Sequence, residues 1–154
     1  MLGIVSSYYK HFSKLLNSPC RLSKRGGDPL SRIEIGDLGE RVACASLRAG
    51  GCKILYRNYR GPKGGEVDIV LRDRQTLVFV EVKTRTQKGF GRPLDAVNLS
   101  KQELIERGAN SWLHLLGKRD MPWRFDVAEV ILVEGAVPEA VSYTHLTLPT
   151  TPYV

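Results

Sequence analysis

The chain has 154 residues, of which 42% are hydrophobic, and a formal net charge of +7 at pH 7. This length suits one domain with its own core and is short for two. No apolar run approaches the roughly 18 residues that a membrane span requires, and the three cysteines form no CxxC pair that would indicate a disulfide framework or a thiolate metal site. The composition therefore predicts a cytoplasmic protein with no membrane span.

The positive charge is concentrated in two segments. Residues 1–32 carry six basic residues and one acidic residue, and we interpret them as a flexible basic arm and linker ahead of an α/β domain at residues 33–135. Residues 57–92 carry nine basic residues around four acidic ones. This arrangement suits a protein that binds a phosphate backbone and also holds a cation, although a solvated charged surface explains the charge equally well.

The first core helix is predicted over residues 35–49, where apolar residues recur at helical spacing ahead of Gly50 and Gly51. Glu40 lies at the edge of the apolar side of this helix. It is therefore not expected on the water-exposed face.

Three strand candidates follow, at residues 53–60, 66–71 and 76–84. If the second turn between them has an even number of residues, side-chain alternation makes one face of the sheet wholly apolar. That face would hold Val67, Ile69, Leu71, Val78, Val80 and Val82. The opposite face would then collect the charged side chains of the two strands, which are Glu66, Asp68, Glu81 and Lys83. An odd connection would scatter these charges over both faces, so burial favours the even register.

A capping box of Ser100 and Glu103 predicts the start of a second helix that ends near Gly117. Residues 125–133 form the last strand candidate. We interpret residues 136–154 as a C-terminal tail, in which residues 142–154 resemble translated linker or adaptor sequence; an ordinary disordered tail is the alternative. This order of elements predicts an α/β fold in which helices flank a mixed sheet.

The crowded carboxylates raise a question of charge. Two carboxylates about 5 Å apart repel by roughly 3 kcal/mol at an effective dielectric near 20. A protein can expose them, raise a pKa, or bind a hard divalent cation. Two strand carboxylates and the Val82 carbonyl would suit magnesium, and Lys83 would then orient or help to deprotonate a water that attacks a phosphodiester. A Glu-x-Lys pair alone is weak support, because such pairs occur on many solvated strands.

Five short motifs occur together and in order: Gly36-Asp-Leu-Gly-Glu40, Asn58-Tyr-Arg60, Gly65-Glu-Val-Asp68, Val78-Phe-Val-Glu-Val-Lys83 followed by Thr84 and Arg85, and Arg124-Phe-Asp126. On these motifs, residues 34–134 resemble the YraN or UPF0102 family. That family belongs to the PD-(D/E)xK nuclease superfamily and is similar to archaeal Holliday junction resolvases.

The resemblance implies a restriction-endonuclease-like core and a metal-dependent endonuclease that acts on DNA, including branched or junction DNA, with Mg²⁺ or Mn²⁺. It implies that Asp68 and Glu81 bind the metal, that Lys83 serves the water, and that Glu40 contributes directly or through water. It also suggests Gln102 as an accessory residue on the second helix. One departure is that Val67 precedes Asp68 where the superfamily has proline.

Several interpretations stay open at this stage. Glu66 is either an accessory metal ligand or the salt-bridge partner of Arg60 or Lys63. Contacts to the DNA backbone are expected from the basic side chains around the acidic centre: Arg60, Lys63, Arg85, Lys88 and Arg92. A homodimer is expected if paired cuts need two active sites. The competing functions are a nuclease-fold module that binds DNA or a repair partner with little catalysis, and an interaction domain whose carboxylates only stabilise the sheet.

Overall fold

The computed structural model describes residues 14–87, 99–117 and 120–146. Its named elements are α1 (Arg32–Ala49), β1 (Lys53–Arg60), β2 (Glu66–Asp73), β3 (Thr76–Arg85), α2 (Leu99–Leu116), β4 (Trp123–Ile131) and β5 (Glu139–Leu146). The strands form one sheet in the order β1-β2-β3-β4-β5, in which β3 and β4 are parallel and the other neighbours antiparallel. The predicted α/β fold with a mixed sheet flanked by helices is confirmed.

A capping box forms at the start of α1, whereas the capping box predicted for α2 does not lie at the start of that helix. Ser31 caps α1: its hydroxyl accepts from the Glu34 N–H at 3.2 Å, and the Glu34 carboxylate accepts from the Ser31 N–H at 2.8 Å. α1 therefore begins three residues before the predicted start. The predicted capping role of Ser100 is wrong, because α2 already includes Leu99 and an N-cap residue must lie outside the helix.

Two apolar clusters lie on opposite faces of the sheet. The α1-side core contains Val42, Ala43, Cys44, Ile69, Leu71, Val78, Val80, Ala128, Val130 and Leu132. The α2-side core contains Tyr59, Val67, Val70, Leu77, Phe79, Ile105, Ala109, Leu113, Phe125 and Val127. A two-residue turn joins Asp73 to Thr76, so the even connection is confirmed.

Val67 departs from the predicted apolar face. It belongs to the α2-side core, whereas Ile69 belongs to the α1-side core. The described pairing of β2 with β3 ends at Ile69 and Val80, and Val67 pairs with Tyr59 of β1 instead. The change of face lies beside Asn58, whose φ of 52° is in the left-handed region that asparagine tolerates. Strict alternation requires a regularly extended backbone, and the paired strands are irregular at this point.

The described fold extends on both sides of residues 33–135. Leu15 and Leu16 pack against the α1-side core, and the Cys20 N–H donates to the Ala136 carbonyl at 2.8 Å. Residues 139–146, interpreted from sequence as part of a tail, form β5 beside β4. The resemblance of residues 142–154 to translated linker or adaptor sequence stays a prediction.

No described helix is both long and apolar enough to cross a membrane.

Candidate active site

The candidate site lies where β2 separates from β3. Beyond the pair formed by Ile69 and Val80, the Val82 N–H donates at 2.8 Å to the Asp68 carboxylate instead of to a backbone carbonyl of β2. The N–H and C=O of a strand residue point to the same edge of the strand. The Val82 carbonyl is therefore directed towards the side on which Asp68 lies. We call this place the fork.

Glu81 is the most deeply buried charged group at the fork, with 4% of its surface exposed. Its Oε1 accepts from the Lys83 ammonium at 2.9 Å. Its Oε2 lies 3.4 Å from the Lys101 ammonium but has no hydrogen-bond partner in the described part of the chain. Because a buried anionic oxygen without a hydrogen bond is costly, this atom is a ready acceptor for a cation.

Asp68 responds to its surroundings by a change in proton affinity. Burial, and next the charge of Glu81, raise the pKa of Asp68 to about 6, although the Val82 N–H and the Lys101 charge act in the opposite direction. Among the three possible responses to crowded carboxylates, which are exposure, a raised pKa and binding of a cation, the structure therefore shows a raised pKa.

Glu40 reaches the fork from α1. A Cβ on the preceding residue, Gly39, would lie 1.9 Å from the Thr84 hydroxyl oxygen, so only glycine lets α1 approach β3 this closely. The Glu40 carboxylate accepts from Arg57 Nη2 at 3.3 Å and also bonds to the Asn58 side chain. Burial raises the pKa of Glu40, and the nearby Asp68 charge raises it further. The structure thus brings Glu40 and Asp68 together.

Lys101 is the residue that sequence reasoning missed. Its ammonium lies 2.6 Å from Glu66 Oε1 and 3.4 Å from Glu81 Oε2, and its hydrogen bond lowers the pKa of Glu66. Glu66 is therefore held in a salt bridge, but with Lys101 and not with Arg60 or Lys63. The resemblance suggested the neighbouring residue, Gln102, as the accessory residue on this helix, so it indicated the right turn of α2 but not Lys101.

The predicted DNA contacts fall into three groups. Arg60 and Lys63 are exposed beside the β1–β2 turn. Arg85 is engaged by Glu129, with 2.9 Å between its Nε and the carboxylate. Lys88 and Arg92 lie outside the described residues.

A second ionic group lies apart from the fork, on the first residues of β4. Asp126 is 3% exposed and is bound at 3.1 Å by Arg124, which also reaches Asp73 at 3.0 Å. The Arg124-Phe-Asp126 motif of the sequence therefore forms an ion pair within β4. Trp112 and Trp123 are partly buried and pack against the α2-side core.

The donor set can be tested against a divalent cation. Across residues 14–87, 99–117 and 120–146, no three carboxylate, imidazole or thiolate side chains converge on one metal position. Direct ligands would therefore be the Asp68 and Glu81 carboxylates and the Val82 carbonyl, with Glu40 acting through water. These are hard oxygen donors, one of them is buried without a hydrogen bond, and magnesium usually keeps several waters. The residues fit such an ion.

The fold and the fork define an α/β protein with a restriction-endonuclease-like core and an acidic centre. The model of "Uncharacterised protein family UPF0102" matches residues 39–130. A UPF0102 protein of Trichlorobacter lovleyi is 46% identical over 105 residues, which cover 68% of this chain and 82% of that relative. A UPF0102 protein of Geotalea daltonii is 45% identical over 115 residues, covering 75% and 90%. The chain belongs to the UPF0102 family, and its fold is consistent with the PD-(D/E)xK superfamily.

Proposed function

We propose that the protein is a metal-dependent endonuclease that hydrolyses DNA phosphodiester bonds. The observation that carries this proposal is the fork itself, where Asp68, Glu81 and the Val82 backbone meet beside an ammonium group. The two carboxylates are adjacent in a sheet whose buried side chains are mostly apolar, and burial together with the Glu81 charge raises the pKa of Asp68 to about 6, a cost to the fold that a cation-binding role explains.

Asp68, Glu81 and the Val82 carbonyl would hold Mg²⁺ or Mn²⁺, with Glu40 bound through water. When bound, the ion supplies positive charge at the phosphate and lowers the pKa of a water. Lys83, whose ammonium lies 2.9 Å from Glu81, would orient the attacking water and donate to the phosphate oxygen that gains charge.

The substrate proposed is duplex DNA, including branched DNA. The exposed Arg60 and Lys63 would contact backbone phosphates near the fork, and such contacts make binding depend on salt. The resemblance to junction resolvases supports a branched substrate, and a homodimer would supply the two active sites that paired cuts need.

The test is cleavage of labelled linear duplex, flap and four-way-junction DNA by the full chain, with Mg²⁺ or Mn²⁺ against a chelator. We expect cation-dependent cleavage that falls at least about 100-fold in Glu81→Gln and in Lys83→Met, because general acid–base and electrostatic groups contribute on that scale. Glu103→Gln, on the exposed side of α2, is the matched control and should cleave like the parent protein.

Two other results would redirect the assignment. Salt-sensitive DNA binding that survives Glu81→Gln, without cleavage of any substrate, would refute the nuclease in favour of a binding module. If the parent protein neither binds nor cleaves DNA, both DNA assignments are refuted, and the interaction domain becomes the favoured one.

A further inference from the structure

The formal charge of the fork follows from the ionisable side chains that meet there. Four carboxylates meet there, those of Glu40, Glu66, Asp68 and Glu81, and the described cationic side chains that pair with them are Arg57, Lys83 and Lys101. Counted over these ion-paired groups, four negative and three positive charges leave a formal charge of −1; Arg60 also acts on Glu66 by its charge, but that side chain is exposed and screened by water. Arg57 also touches Asp37 at 3.6 Å, but that side chain is 60% exposed and is screened by water.

Lys101 differs from the other two cationic residues because it contacts carboxylates on two different strands. Lys83 contacts Glu81, and Arg57 contacts Glu40. The Lys101 ammonium bridges carboxylates of two different strands, at 2.6 Å from Glu66 on β2 and 3.4 Å from Glu81 on β3. It occupies the position between Glu66 and Glu81 in which a second divalent cation that bridges both carboxylates would lie. Glu81 Oε2 stays available to the first cation, because its contact with Lys101 is an ion pair at 3.4 Å and not a hydrogen bond among the described residues.

Charge balance then limits the number of ions. One divalent cation changes the formal charge of the fork from −1 to +1, which a single phosphodiester anion neutralises. A second cation would leave an excess of +2 after the phosphodiester has bound. Like charges this close repel strongly when they are partly removed from water.

We propose that the site binds one divalent cation and not two, because the Lys101 ammonium takes the place of the second. This inference rests on the cation site of the proposed function and adds its stoichiometry. It also assigns Glu66: that carboxylate holds Lys101 in place and is not a metal ligand.

The experiment is isothermal titration calorimetry of the full chain with Mn²⁺ at pH 8, without DNA. We expect one Mn²⁺ per chain in the parent protein and two in Lys101→Met, because removal of the ammonium frees Glu66 and leaves the fork at −2. The double variant Glu66→Gln with Lys101→Met restores the charge of −1 and should return to one. Lys53→Met makes the same substitution at an exposed position on the first residue of β1 and should bind one.

Circular dichroism establishes that each variant is folded, and Lys101→Gln provides the same measurement if Lys101→Met unfolds. Two ions in the parent protein, or one ion in both Lys101 variants, would overturn the inference. Absence of Mn²⁺ binding by the parent protein would overturn it together with the cation of the proposed function. One bound Mn²⁺ that rises to two in Lys101→Met, with no DNA cleavage, would support the stoichiometry and refute the nuclease.

Discussion

Replacement of Asp68 by asparagine should stabilise the metal-free protein at pH 8. The pKa of Asp68 is about 6 in the folded chain, against an ordinary value of 3.8. At 1.36 kcal/mol per pH unit, ionised Asp68 lowers the free energy of unfolding by about 3 kcal/mol. Asparagine removes this charge and keeps an oxygen that can accept from the Val82 N–H, while its amide group needs a new partner. We therefore expect a net gain of about 2 kcal/mol, or a rise in Tm of about 4–8 °C for a chain of this size.

The sign follows from linkage. The pKa of Asp68 is raised on folding, so its contribution to stability is fully present below pH 3.8 and is lost as the pH rises through about 6. The difference in Tm between Asp68→Asn and the parent protein should therefore grow from pH 4 to pH 7 and then level off. The assay is thermal unfolding followed by circular dichroism in the presence of chelator. Asp37→Asn, on the exposed side of α1, controls for the loss of one negative charge.

A single result decides this prediction. If Asp68→Asn lowers Tm at pH 8, or shifts it equally at pH 4 and pH 8, the carboxylate is not strained by burial and by Glu81, and the reasoning is wrong. Added Mg²⁺ gives a second check, because an ion that binds only the folded state stabilises it. It should raise the Tm of the parent protein more than that of the variant.

Three further predictions concern the packing that positions the site. Gly39→Ala should cost about 1–3 kcal/mol in urea denaturation, since its Cβ would meet the Thr84 side chain; an unchanged midpoint would show that α1 can shift freely. At Asn58, the alanine variant should be about 1 kcal/mol less stable than the glycine variant, because glycine tolerates the φ of 52°; equal stabilities would argue against backbone strain there. Asp126→Ala should cost about 3 kcal/mol, since it leaves Arg124 without its buried partner; scanning calorimetry would detect the loss, and a neutral result would mean that solvent replaces the carboxylate.

Much of the fold could be predicted because its patterns are local. The bounds of β1 matched the prediction, and the even turn between β2 and β3 was favoured because only that register buries a continuous apolar surface. Val67 could not be placed in the same way. The period of two applies while the backbone stays regularly extended. That regularity is interrupted beside Asn58, which has a left-handed φ and lies where β2 separates from β3.

The candidate site likewise has one part that local sequence patterns predict and another that they do not. The proximity of Asp68 and Glu81 follows from the register of two neighbouring strands, so the sequence was sufficient to predict it. Lys101 and Arg57 depend on how α2 and β1 are oriented around the fork, which is decided by tertiary packing. Gly65 shows how close that packing is, because a Cβ there would lie 2.1 Å from the backbone nitrogen of Gly108 in α2. No local pattern reports such a contact.

The parallel pairing of β3 with β4 also has a kinetic consequence. Antiparallel β2 and β3 need only a two-residue turn, whereas the parallel pair needs a long crossover that includes α2. Contacts between residues close in sequence form sooner than those that require a long loop to close. We therefore expect Asp68 and Glu81 to meet early during folding, and the Lys101 ammonium to join them only with the crossover. The β2–β3 hairpin thus brings two carboxylates together with Lys83 but without Lys101, so screening salt or a divalent cation should speed refolding as well as stabilise the folded protein.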